Sequence, residues 1–161
     1  MSYRIQFFTA VTASPKNTGF TLFATSPMIW KYLPAPLTID YLRNLTWSVS
    51  TSSFNSSIIR GLPLIQDHPH NSQPCLRYHE PWPQSKTAFE ATNVMIDNVT
   101  TEVEGKAVCD ALTALLHDRR VALYHTWEKG DLLVSDNVLA MHTRSDFTAG
   151  CDRELWRIHV E

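Results

Sequence analysis

Three side chains near the end of the sequence could do chemistry together: His142, Arg153 eleven residues later, and Arg157 four beyond that. An imidazole can hold a metal ion or carry a proton. A guanidinium grips a carboxylate through two parallel charge-assisted hydrogen bonds, because its planar fork matches the anion. On a strand of period two, Arg153, Leu155, Arg157 and His159 share one face, and Trp156, Ile158 and Val160 share the other. Two readings of that strand are open. In one it is half-buried and its Arg face meets water. In the other its apolar side packs beneath helices, and the Arg side lines a barrel interior that receives an anion. His142 taken alone also suits a hydrogen-bonded structural role at a strand end.

Other candidates are set against plainer explanations. His79 and Trp82 lie in RYHEPWP, a Pro-rich loop. Loops at the mouth of a barrel carry substrate contacts, which makes both residues substrate-binding candidates, while a packed Trp is the ordinary alternative. Asp67, His68 and His70 read as an exposed turn rather than a metal site, since Pro69 separates the two His. His117, Asp118, Arg119 and Arg120 close a helix, where basic groups complement its dipole. The sequence has no G-x-S-x-G elbow, P-loop or dinucleotide fingerprint.

The elements that must position these residues are mostly short strands. IQFF (5–8), TLFA (21–24), LTWSV (45–49), CLRY (75–78), VALYHTW (121–127), DLLVS (131–135) and ELWRIHV (154–160) are rich in β-branched and aromatic residues. Asp136-Asn137 predicts a tight turn, followed by a short strand ending in His142. Ser26-Pro27 reads as an N-cap and first helical residue. Leu37, Tyr41, Leu42 and Leu45 share one helical face, as do Val103, Ala107, Ala111, Leu112 and Leu115. Many short strands with few helices predict a mainly β fold with flanking helices, a jelly roll or a related β-barrel, rather than a parallel α/β sheet.

With 161 residues, 43% hydrophobic and 11% aromatic, the chain can bury one core, so a single domain over 1–161 is expected. A net charge of -2 without a basic run argues against nucleic acid or an anionic membrane as partner, leaving a small-molecule substrate or another protein. No stretch approaches the ~20 apolar residues of a membrane span, and the start lacks a signal-peptide pattern, so the expected location is cytoplasmic. Cys75, Cys109 and Cys151 are too few and too widely spaced for a disulfide framework, and the sequons at Asn44, Asn55 and Asn98 are expected to be unused.

Trp127, Gly130-Asp131, Asp136-Asn137 and His142 follow the pattern W-x-x-G-D-x-x-x-x-D-N-x-x-x-x-H, and Arg153 and Arg157 follow at fixed gaps. That run resembles the distal iron-site segment of the TauD/TfdA family of Fe(II)/2-oxoglutarate oxygenases. TGFTLFA (18–24) is similar to the family's GG-(D/E)-T-x-x-(A/S) segment, with Thr21 at the Thr and Phe20 replacing the acid. LIQDHPHNSQPCLRY (64–78) is similar to its H-P-x-(T/S)-G strand, with Asn71-Ser72 in place of Thr-Gly. The resemblance implies a double-stranded β-helix, Fe(II) held by His142, and 2-oxoglutarate anchored by Arg153 with Thr21. It implies that Arg157 serves the metal-proximal end or the substrate. The stretch from His142 to His159 is also similar to the branch that works in natural-product biosynthesis, that is, secondary metabolism.

The family holds iron with two His and one carboxylate, two of them arriving as H-x-D or H-x-E upstream of the Thr segment. No such motif precedes Gly19, and only His159-Val160-Glu161 has the form, in inverted order. An N-terminally incomplete barrel is therefore expected. Three explanations are open: a truncated or misassigned gene product, one half of a split enzyme, or a noncatalytic subunit that keeps the scaffold. A second chain or self-association would cover the open barrel edge.

Overall fold

The structure, a computed structural model, describes residues 4–15, 18–51, 58–83, 91–145 and 153–160. Cys151, Asn55 and Glu161 lie outside the described residues. In chain order the strands are β1 (Ile5–Thr12), β2 (Thr21–Thr25), β3 (Thr46–Ser50), β4 (Ile58–Pro63), β5 (Ile65–Asp67) and β6 (Pro74–Leu76), then β7 (Asn93–Asp97), β8 (Ala122–His125), β9 (Leu132–Asp136), β10 (Ala140–Arg144) and β11 (Glu154–Val160). The helices are α1 (Ser26–Lys31), α2 (Ile39–Arg43) and α3 (Glu102–Leu116). None is long and apolar enough to cross a membrane.

The chain forms two compact units, Met1–Ile29 with Leu116–Glu161, and Trp30–Leu115. In the first, two three-stranded antiparallel sheets run β11-β1-β9 and β10-β2-β8. Alternation along β1 turns Gln6, Phe8 and Ala10 inward, all buried. Phe8 meets Phe23 of the other sheet edge-on at 5.8 Å between ring centroids, and with Ala10 and Trp127 they form the core between the sheets. β2 is buried on both faces, Leu22 and Ala24 on one and Thr21 and Phe23 on the other. This is the central strand of a jelly-roll sheet, and the expected mainly β architecture with few helices is what the structure has.

The second unit holds the sheet β4-β3-β7 and the hairpin β5-β6. Thr38 caps α2 by accepting from the Tyr41 amide, and α3 buries Val108, Cys109 and Leu112. The Tyr78 hydroxyl donates to the Cys109 carbonyl and pairs with Thr113. Cys75 and Cys109 are buried free thiols.

Ser26 opens α1, and its amide and its hydroxyl both donate to the Leu139 carbonyl, tying the helix start to the end of the turn before β10. Some expectations need correction. The strand carrying His142 continues to Arg144, because pairing with β2 extends through Thr21. The apolar side of β11 does not lie beneath helices: Trp156 is 60% and Ile158 61% exposed. The alternation itself holds: Leu155, Arg157 and His159 stand opposite the inward-facing Ala10, Phe8 and Gln6.

Candidate functional site

The W-x-x-G-D-x-x-x-x-D-N run is a positioning device. Gly130, at φ +90°, turns the chain so that its amide donates to the Ala10 carbonyl, while the Ala10 amide donates to the Asp131 carbonyl. The Asp131 carboxylate accepts from the Glu128 amide and closes that turn. Five residues on, Asp136 accepts from the Val138 and Leu139 amides, which reverses the chain. The Asn137 amide donates to the Arg4 carbonyl, and its side chain accepts from Gln6. Strand β10 then leaves in a fixed register, and His142 falls opposite Phe23.

His142 sits on the inner face with its ring edge-on to Phe8, 5.3 Å between centroids, and tilted against Phe23 at 6.2 Å. Its Nε2 lies 3.4 Å from Nη1 of Arg157. A guanidinium only donates, so in this arrangement Nε2 accepts, and the lone pair a metal would use faces Arg157. Arg157 itself is exposed.

Arg153 is half-buried and donates through Nη1 to the Gly19 carbonyl. Burial, and then the nearby positive charge of Arg144, lower its pKa from the ordinary guanidinium value. Gly19 presents that carbonyl from a left-handed conformation, φ +59°. A Cβ there would lie 2.5 Å from Ser14 Oγ and 3.7 Å from Arg153 Nη1, so the turn is built around glycine. Phe20 is held in both directions, its amide donating to Ser145 Oγ and its carbonyl accepting from the Ser145 amide.

Thr21 is buried, and its Oγ1 accepts from Trp127 Nε1 at 2.8 Å. An indole N–H can only donate, so the threonine oxygen is the acceptor and its own proton remains to be donated elsewhere. His125, paired across from Thr21, stands edge-on to Trp127 at 4.4 Å and has Nε2 3.5 Å from Asp131. Among the described residues no carboxylate pairs with Arg153 or Arg157. Burial, and then Arg157, also lower the pKa of His159.

Thr21, His142, Arg153 and Arg157 thus all belong to the first unit. His79 and Trp82 belong to the second, where their rings lie 5.7 Å apart, His79 Nδ1 bonds the Glu80 carbonyl and Trp82 Nε1 donates to the buried Glu80 carboxylate. Asp67, His68 and His70 form the expected turn, with Asp67 paired to Arg43, although His68 is buried. Gly19, Trp127 and Ser145 were not singled out for the site. Trp127 carries a signal as the first letter of the W-x-x-G-D run, and Gly19 as the second Gly position of the GG-(D/E)-T-x-x-(A/S) segment; Ser145 carries none.

Among the described residues no group of three His, Cys, Asp or Glu could hold a metal. One imidazole with a guanidinium beside it does not make an iron site by itself. A dicarboxylate suits the donors better: a guanidinium pre-oriented on a carbonyl and a hydroxyl with its proton to give.

Two sheets facing across an interior that carries an imidazole and guanidinium groups define an oxygenase-type jelly roll. The chain belongs to the taurine catabolism dioxygenase TauD, TfdA family, whose model matches residues 2–159. It is 44% identical over 156 residues to isocyanide synthase xanB of Aspergillus fumigatus, covering 97% of this chain and 20% of that protein. It is 38% identical over 161 residues to isocyanide synthase A of the same fungus, covering 96% of this chain and 26% of that protein. PvcB, described as an Fe, alpha-ketoglutarate dependent oxygenase from an isonitrile synthetic pathway, shares the fold with a TM-score of 0.69. That match has 23% identity and covers 98% of this chain and 52% of PvcB. The chain thus spans about half of PvcB and about a quarter or less of the two synthases.

Proposed function

We propose that residues 1–161 act as one oxygenase-type domain that supplies the co-substrate anchor and distal histidine of an Fe(II)/2-oxoglutarate-dependent oxygenase. Its substrate is a small organic molecule of secondary metabolism, of the kind oxidised in isocyanide pathways, and its place is the cytoplasm. The observation that carries this reading is the Arg153 guanidinium fixed on the Gly19 carbonyl, two residues from the proton-donating hydroxyl of Thr21.

Arg153 takes the distal carboxylate of 2-oxoglutarate through its remaining N–H groups, and Thr21 donates a further hydrogen bond to it. Arg157, two pleat repeats along the strand and beside His142, takes the metal-proximal end or a carboxylate of the substrate. Residues four apart on a strand stand about 13 Å apart, so the two guanidiniums divide the work rather than share one anion. Phe8, Phe23 and Trp127 keep water from the inner wall. When bound, 2-oxoglutarate supplies the electrons for oxygen activation by its own oxidative decarboxylation.

A second reading, a noncatalytic or split-enzyme subunit, is favoured because among the described residues no group of three His, Cys, Asp or Glu could hold a metal. Calorimetric titration with 2-oxoglutarate tests the anchor. Arg153→Ala is expected to weaken binding at least tenfold and Arg157→Ala less, whereas equal losses from both would refute the division of labour. A succinate assay after adding Fe(II), 2-oxoglutarate and O2 separates the two readings. The isolated chain is expected not to turn over, and catalytic succinate release would overturn the subunit reading.

A further inference from the structure

The sheet β11-β1-β9 has a second face that the site does not use. Ile5, Phe7 and Thr9 of β1 lie between Val160, Ile158 and Trp156 on one side and Asp136, Val134 and Leu132 on the other. Leu132 is 67% exposed, Ile158 61%, Trp156 60% and Val134 56%, with Ile5 and Val160 also exposed. These side chains expose on the order of 700 Å² together, more than the largest apolar patch of an ordinary monomer and close to the roughly 800 Å² each partner contributes to a stable interface.

We propose that this face binds a second copy of the chain, sheet against sheet, about a two-fold axis parallel to β1. The proposal stands independently of the co-substrate reading. Two antiparallel sheets pack face to face at about 10 Å with their strands nearly aligned. That axis lays β1 on its counterpart, and β9 on the partner's β11. Leu132 then meets the partner's Trp156, and Val134 meets the partner's Ile158, so each of these large outer side chains has an apolar partner while Phe7 lies in the central row, over its own counterpart.

The charges on the face fit the same arrangement. Its acidic residues, Asp136 and Glu154, stand at diagonally opposite corners, and the axis keeps them apart, with Asp136 over the partner's Val160. Glu154 pairs with Thr12, one end of β1, and the exposed Lys129 stands just before β9 at that same end. The two-fold therefore brings Glu154 of one copy to Lys129 of the other, twice per dimer.

Light scattering with size exclusion on the purified chain at micromolar concentration tests this. The expected species is a dimer. Val134→Lys and Ile158→Lys, both at exposed positions that tolerate a polar side chain in the free sheet, are expected to raise its dissociation constant at least tenfold. Leu123→Lys, exposed on β8 away from this face, is expected to leave it unchanged. Lys129→Glu is expected to weaken the dimer severalfold, and adding Glu154→Lys to restore it. A monomer whose face binds a hydrophobic dye or another polypeptide, or a dimer indifferent to Val134→Lys and Ile158→Lys, overturns the proposal. A dimer lost in those two variants but not restored by the charge swap overturns the two-fold arrangement.

Discussion

Gly19→Ala is a demanding test of how Arg153 is held. At φ +59° an alanine is strained by about 1–2 kcal/mol. The new Cβ would also stand 2.5 Å from Ser14 Oγ and 3.1 Å from Ser14 Cβ, so the turn must move. Moving it carries away the Gly19 carbonyl and its charge-assisted bond to Arg153, worth about 1.5–3 kcal/mol. Allowing for partial relaxation, we expect a loss of roughly 2–3 kcal/mol, or about 4–12 °C in Tm for a chain of this size. Affinity for 2-oxoglutarate should fall about tenfold, the equivalent of ~1.4 kcal/mol from a guanidinium that is no longer pre-oriented. Adding Ser14→Gly removes both close atoms and should recover the steric part of the melting loss while the left-handed strain persists. Calorimetry and thermal melts of the wild type and the two variants provide the measurement. If Gly19→Ala leaves both Tm and affinity at the wild-type values, the carbonyl does not set the guanidinium, and the account of the site is wrong.

Two further predictions follow from neighbouring groups. Trp127→Phe keeps an aromatic ring but removes the N–H that makes Thr21 a donor. It should weaken 2-oxoglutarate binding about three- to tenfold, and in combination with Thr21→Val it should cost no more than Thr21→Val alone. Fully additive losses would show that the two residues act separately. His159 binds its proton less readily in the folded chain than in the unfolded one, since burial and then Arg157 lower its pKa. Stability should therefore fall as pH drops below the unfolded value of about 6.5. Urea denaturation at pH 7 and pH 5.5 should show a smaller acid loss in His159→Gln, and identical losses in both proteins would exclude His159 as the source.

What could be read from the sequence was what local pattern encodes. The alternation in ELWRIHV placed Arg157 on the face opposite Trp156, and the spacing from Trp127 to His142 corresponds to two turns closed by Asp131 and Asp136. The strands β4, β5 and β7 escaped notice because Gly61 and Pro63 interrupt the first, the second is three residues long, and NVMID carries flanking polar residues rather than clean alternation. The Gly19 carbonyl was invisible for a different reason. A backbone oxygen has no letter of its own, and its direction depends on a φ that the sequence only permits. Whether the apolar side of β11 is covered depends on what packs over it, which the strand's own pattern does not record.

The pairing of β1 with β11 bears on how the protein is made. Phe8 waits for Arg157, its cross-strand neighbour, until about 150 further residues have been synthesised. At about 5–20 residues per second, the ~150 intervening residues take on the order of 10–30 s to emerge, and the inner wall around His142 cannot close before they do. During that interval β1, with its alternating apolar residues, is a nascent strand in search of an edge. Pairings at such long sequence separation are also slow to form once synthesis ends. Chaperone dependence and translation speed should consequently govern the yield of folded protein more strongly than any single contact in the finished site.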